Sequence, residues 1–71
     1  MDYFTRYADD KFALLNQHGV FLRKEQVSAA LALPDRRGKI GKFLTAEKDG
    51  VKVVYQKDGR AKRIITFYPL S

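Results

Sequence analysis

The sequence has no cysteine, no tryptophan, one histidine and two prolines. Without cysteine, disulfide staples, thiolate zinc centres and cysteine nucleophiles are excluded. The lone histidine, His18, excludes a His-rich metal site. Long apolar runs are also missing. The longest, Ala29 to Leu33, is far too short to span a membrane, and no signal peptide is visible. A soluble, cytoplasmic protein with no membrane partner is therefore expected. At 71 residues the chain makes one domain, of a size that buries only about 60% of the surface its unfolded form exposes. That leaves room for one core and one surface site, not for two lobes closing on a cofactor, and none is expected.

What the sequence has in excess is positive charge. Fourteen Lys and Arg against eight Asp and Glu give a net charge of +6. Such density on a small surface favours a polyanionic partner, most often nucleic acid. A basic surface kept for solubility, or one neutralised by an acidic protein, is the alternative, and composition does not separate them.

Asp2 to Phe4 reads as an edge strand or an ordered arm. Thr5 is placed to cap a helix over roughly Arg6–Gln17, with Asp9 and Asp10 favourable at its positive end. Ala8, Phe12 and Leu15 form its buried stripe, and Gly19 ends it. Val20–Leu22 is an apolar connector anchoring the turn. A second helix starts at Arg23 or Lys24 and runs to Leu33, with Val27, Ala30 and Leu31 inward, and Pro34 forbids its continuation. Its start lacks a Ser, Thr, Asp or Asn cap and carries two cations where the dipole disfavours them.

Asp35–Gly41 reads as a polar, basic loop. Beyond it three apolar stretches are separated by Lys48-Asp49-Gly50 and Lys57-Asp58-Gly59, and Asp-Gly is a strong hairpin signal. The expectation is a three-stranded antiparallel meander over Ile40–Glu47, Val51–Gln56 and Lys62–Tyr68. The fold class is then α+β, two N-terminal helices packed on that meander, with an additional short strand at the N-terminus if Asp2–Phe4 pairs.

Alternation along the strands assigns the faces. Ile40, Leu44, Ala46, Val51, Val53, Tyr55, Ile64, Thr66 and Tyr68 should pack on the helices. Phe43, Thr45, Glu47, Lys52, Val54, Gln56, Arg63, Ile65 and Phe67 should form the other face, with Glu47 opposite Lys52. Cations interleaved with aromatic rings suit nucleic acid, because Lys and Arg bind phosphates while rings stack on unpaired bases. The alternative is that the apolar members are covered by the N-terminal arm or by a partner subunit.

Arg36, Arg37, Lys39 and Lys42 form one basic cluster, and Arg60, Lys62 and Arg63 a second. With Lys52, Gln56, Phe43 and Phe67, these are the candidate nucleic-acid-binding residues. The first cluster is not a phosphate-binding P-loop, because its glycine spacing is wrong and no Ser or Thr follows Lys42. Most carboxylates fall in turns and opening helix turns, so no metal site is expected. Metal-free RNA cleavage needs a base, an acid and cations for the developing phosphorane charge. Arg63 and Lys52 suit the electrostatic role, and Tyr55, Tyr68, His18 or Glu47 the proton transfers.

The string His18-Gly19-Val20, a helix with Val27 and Leu31, Pro34, Val53-Val54-Tyr55 and Ile65-Thr66-Phe67-Tyr68-Pro69 resembles the BrnT-like and related branches of the RelE/ParE toxin superfamily. The similarity covers roughly Thr5 to Pro69 through short motifs. Gln17 stands where the BrnT branch has lysine and Leu14 where it has asparagine. Tyr7, Ala8 and Lys11 stand where a sister branch has His-Ala and, three residues on, arginine. The resemblance implies two helices on an antiparallel sheet and a bacterial or phage toxin–antitoxin setting. It also implies an endoribonuclease, ribosome-associated or free, that relies on Lys, Arg and Tyr and is neutralised by an antitoxin.

The expectation is thus an RNA-directed toxin-like protein, a metal-free endoribonuclease with Arg63, Lys52 and His18 as catalytic candidates and RNA and an antitoxin protein as partners. The alternatives are a non-catalytic nucleic-acid-binding module and a protein-interaction domain docking an acidic partner.

Overall fold

The structure is a computed structural model that describes residues 2–70. The chain runs β1 (Asp2–Phe4), α1 (Arg6–Gln17), α2 (Lys24–Ala32), β2 (Arg36–Ile40), β3 (Phe43–Lys48), β4 (Val51–Asp58) and β5 (Ala61–Pro69). The strands form one sheet in the order β1-β5-β4-β3-β2. β1 lies parallel to β5, and the other pairs are antiparallel. The fold is α+β with two helices, but the three-stranded antiparallel meander expected from the sequence is wrong: the sheet has five strands and is mixed.

The correction has two sources. Asp2–Phe4 pairs with Lys62–Ile64 and adds a parallel edge strand. The segment Ile40–Glu47 is not one strand, because it contains a hairpin. Arg36–Ile40 pairs with Phe43–Glu47 around a two-residue loop, Gly41-Lys42. Gly41 has φ 57°, which places glycine at the first loop position, as a type II′ turn requires. The polar stretch expected to be a loop is therefore an edge strand. The Asp49-Gly50 loop follows the type I′ expectation, with φ of 50° and 80°. The next hairpin turns one residue later than Asp58-Gly59, on Gly59-Arg60, with Asp58 paired to Ala61.

Thr5 caps α1, its hydroxyl accepting from the Ala8 N–H at 3.2 Å. The other end closes with a Schellman pair: Val20 N–H to the Leu15 carbonyl and Gly19 N–H to that of Asn16, with Gly19 at φ 80°. At α2 the missing cap is supplied from inside the helix. The Gln26 side-chain carbonyl accepts from the Arg23 N–H at 2.7 Å, the half of a capping box that an arginine, which has no acceptor, can take part in. Two lysines complete its C-terminal end. Lys62 Nζ donates to the Leu31 carbonyl at 3.1 Å and Lys48 Nζ to that of Leu33 at 3.2 Å, where cations complement the helix dipole.

Both helices lie on one face of the sheet, α1 over β5 and β1, α2 over β4 and β3. Ala8, Val27, Ala30 and Leu31 meet Ala46, Val51, Val53, Tyr55, Ile64 and Phe67 in the core, with Phe4, Phe12, Leu15, Leu22 and Leu44 packed around it. Phe12 sits against Phe67, ring centroids 4.3 Å apart.

Phe67 is on this face because of a β-bulge. Tyr55 pairs with Ile64 but Val54 pairs with Thr66, so Ile65 is unpaired and the alternation of β5 inverts beyond it. Phe67, expected on the polar face, is fully buried. Thr66 and Tyr68, expected in the core, pair with Val54 and Lys52 on the opposite face. Ile40, also expected in the core, pairs with Phe43 in the added hairpin and is 50% exposed. No described helix is long and apolar enough to cross a membrane.

Candidate nucleic-acid interface

The second face of the sheet carries no helix. Strand register places its side chains in rows across the strands. One row is Arg36, Glu47, Lys52 and Tyr68, successive partners from β2 to β5. A middle row is Gly38, Thr45, Val54 and Thr66. A third holds Tyr3, Arg63 and Gln56 as register partners, with Phe43 and Ile40 at the far ends of β3 and β2. Long basic and aromatic side chains thus flank a strip of small ones. Gly38 belongs to that strip for a steric reason: a Cβ there would come within 2.8 Å of the Thr45 hydroxyl. Thr45 and Val54 are only 3% and 8% exposed, lying between the longer side chains of the two outer rows. Lys52 and Gln56 in those rows are four residues apart on β4, about 13 Å at strand rise.

Two carboxylates temper the charge of this face. Glu47 lies 3.9 Å from Lys52, both partly shielded from solvent. Asp58 accepts a 2.6 Å hydrogen bond from the Tyr3 hydroxyl. That bond, followed by desolvation and the Asp58 charge, raises the Tyr3 pKa above its ordinary 10.0. Arg36 and Arg63 stay exposed.

At the edge of β5, where β1 has ended, Lys11 reaches across from α1. Its Nζ lies 3.0 Å from the Thr66 hydroxyl and 5.5 Å from the centre of the Tyr68 ring. Burial lowers its pKa below the ordinary 10.5. In the hairpin loop at the far end, Lys42 Nζ lies 5.5 Å from the centre of the Phe43 ring, within cation–π range.

Of the residues singled out by sequence, Lys52, Gln56, Arg63, Phe43 and Arg36 share this face, and Lys42 stands beside it. Arg60 lies in the Gly59-Arg60 loop. Arg37 and Lys39 are exposed on the opposite side of β2, paired with the core-facing Ala46 and Leu44. Lys62 lies on the helix side, its ammonium engaged by the Leu31 carbonyl. Phe67 is core. His18 is the C-cap of α1, in the helix layer and away from Lys52 and Arg63, so the expected catalytic trio does not assemble. Tyr55 is buried in the core.

Tyr3, Lys11 and Thr66 carry no site signal in the sequence, and Tyr68, a candidate for proton transfer, lies on the helix-free face and not on the packed face that parity assigns it. The bulge that turns it outward leaves no mark in a sequence, and Lys11 comes to the site only because β1 is short. Among the described residues, no three Asp, Glu or His side chains gather as a metal site. The chain matches no known family model, no curated protein and no solved structure.

Proposed function

We propose that the chain binds single-stranded RNA across the helix-free face of its sheet, as the RNA-directed toxin implied by the BrnT-like resemblance. The observation that carries this reading is the convergence of Arg36, Lys52 and Arg63 with Tyr3, Phe43 and Tyr68 on one open face. Cations hold the backbone and rings stack on splayed bases. An antitoxin partner belongs to the same reading.

Cleavage is the second reading, favoured by the row that places Glu47 and Tyr68 on either side of Lys52. Lys52 and Arg63 supply charge for the phosphorane formed as the ribose 2′-oxygen attacks the adjacent phosphorus. Glu47 takes the 2′-OH proton, and Tyr68 gives one to the departing 5′-oxygen, leaving a 2′,3′-cyclic phosphate. His18 has no part in it.

One assay tests both. End-labelled single-stranded RNA is incubated with the protein in EDTA, and binding and integrity are followed across a salt series. Three phosphate contacts on a single strand give a log–log salt slope of about −2. RNA that is bound but intact leaves a binding module; RNA cut by the native protein but not by Arg63→Ala establishes the nuclease. No binding even at low salt overturns both readings.

A further inference from the structure

The sheet has two edges of different character. β1 is three residues long, and α1 packs beside it. β2 is five residues long, and every one of them is exposed. Neither helix packs mainly on it, since α2 lies chiefly over β4 and β3 and α1 over β5 and β1. Its outer side is the end of the sheet order, so the backbone N–H and C=O groups that point away from β3 meet no described strand. A free edge of this kind is a template for another extended chain.

Charge selects among the chains that could add there. Residues 36–46 hold Arg36, Arg37, Lys39 and Lys42 and no Asp or Glu. The register places Arg36 on the helix-free side of β2 and Arg37 and Lys39 on the other, so an added strand meets cations on both of its faces. A second copy pairing β2 with β2 would set these cations against each other, and like charges across a ladder are destabilising. An incoming strand with carboxylates would complement them.

We propose that the outer edge of β2 is a strand-addition site for an extended acidic segment of a partner protein, which joins the sheet as a sixth strand next to Arg36–Ile40. The proposal is separable from the RNA reading, because it rests on the backbone edge and on the Arg37 and Lys39 side chains, and shares only Arg36 with the helix-free face.

The test is amide hydrogen exchange of the full chain with short blocked peptides. One alternates glutamate with valine, one lysine with valine, and one glutamate with proline, which keeps the charge but cannot form a ladder. The glutamate–valine peptide is expected to slow exchange within Arg36–Ile40, and the other two to leave it unchanged. Its affinity should fall roughly tenfold or more in Arg37→Glu/Lys39→Glu, whose substitutions are exposed and whose own exchange pattern verifies the fold. Equal binding of the glutamate–proline peptide would reduce the effect to charge and overturn the proposal. So would slowing by the lysine–valine peptide, or unchanged exchange with all three. Slowing of the same amides by a single-stranded RNA but not by the acidic peptide would assign the edge to nucleic acid instead.

Discussion

Thr5 uses every polar group it has at the junction of β1 and α1. Its hydroxyl accepts from the Ala8 N–H and donates to the Ile65 carbonyl at 3.3 Å, and its own N–H donates to the Ile64 carbonyl at 3.1 Å. One residue therefore caps a helix and ties down the bulge that orients Phe67 and Tyr68. Thr5→Ala should cost about 1–2 kcal/mol, read as a lower urea midpoint, whereas Thr5→Ser should recover most of it. Tyr3 makes a separate prediction in pH. Its folded pKa lies above 10.0 because the protonated phenol is bonded to Asp58. That contribution is complete below pH 10.0 and is lost as pH climbs through the folded value. Lys11 works in the opposite sense. Burial holds its folded pKa below 10.5, so the native state gives up that proton first and stability rises with pH up to the unfolded value. The readout is therefore the difference between native protein and Tyr3→Phe in denaturation curves taken at successive pH values. That difference should be flat at neutral pH and shrink above pH 10.0; a constant difference would show that the bond has no part in stability.

At the level of elements, what was legible in the sequence depended on whether the signal was local. The helices were readable because cap, stripe and stop lie within one stretch: Thr5, then Ala8, Phe12 and Leu15, then Gly19. The Asp49-Gly50 turn was readable because both loop positions need positive φ and the dipeptide announces it. The facing of Glu47 and Lys52 followed from that turn alone. Gly41-Lys42 is a weaker hairpin signal, and the strand before it, Arg36–Ile40, is exposed throughout and holds a single large apolar side chain, Ile40. Alternation between buried and exposed positions is absent from such a strand, so the periodicity that reveals strands had nothing to register. For β1 the sequence leaves two alternatives, strand or ordered arm, since three residues cannot declare a partner sixty residues away. The bulge at Ile65 has the largest effect of any feature the sequence does not announce. It is a single unpaired residue, yet it exchanged Phe67 for Tyr68 between the faces and so altered both the core and the site. Of the proposed interface, Lys52, Gln56, Arg63 and Phe43 follow from parity upstream of the bulge. Arg36 reaches it through the added hairpin, and Tyr3, Lys11, Thr66 and Tyr68 through long-range pairing.

For the whole molecule, the question is whether its +6 acts as a diffuse field or through placed contacts. The structure divides the cations by side. Lys52 and Arg63 stand on the helix-free face, Arg37 and Lys39 on the other side of β2, and Lys48 and Lys62 are occupied by helix carbonyls. Two double variants therefore make a matched comparison. Lys52→Ala/Arg63→Ala and Arg37→Ala/Lys39→Ala each remove two charges, taking +6 to +4, so a diffuse field predicts equal losses of RNA affinity. Placed contacts predict unequal ones. Removing two phosphate contacts should flatten the log–log salt slope by about 1.4 for the first pair and leave it nearly unchanged for the second. The first pair should also lose more affinity at physiological salt, where the Debye length of about 8 Å screens the cations that touch no phosphate. Equal slopes for the two variants would remove the helix-free face from the RNA reading. They would leave the edge of β2 untouched, because strand addition is read from amide exchange with peptides and not from RNA affinity.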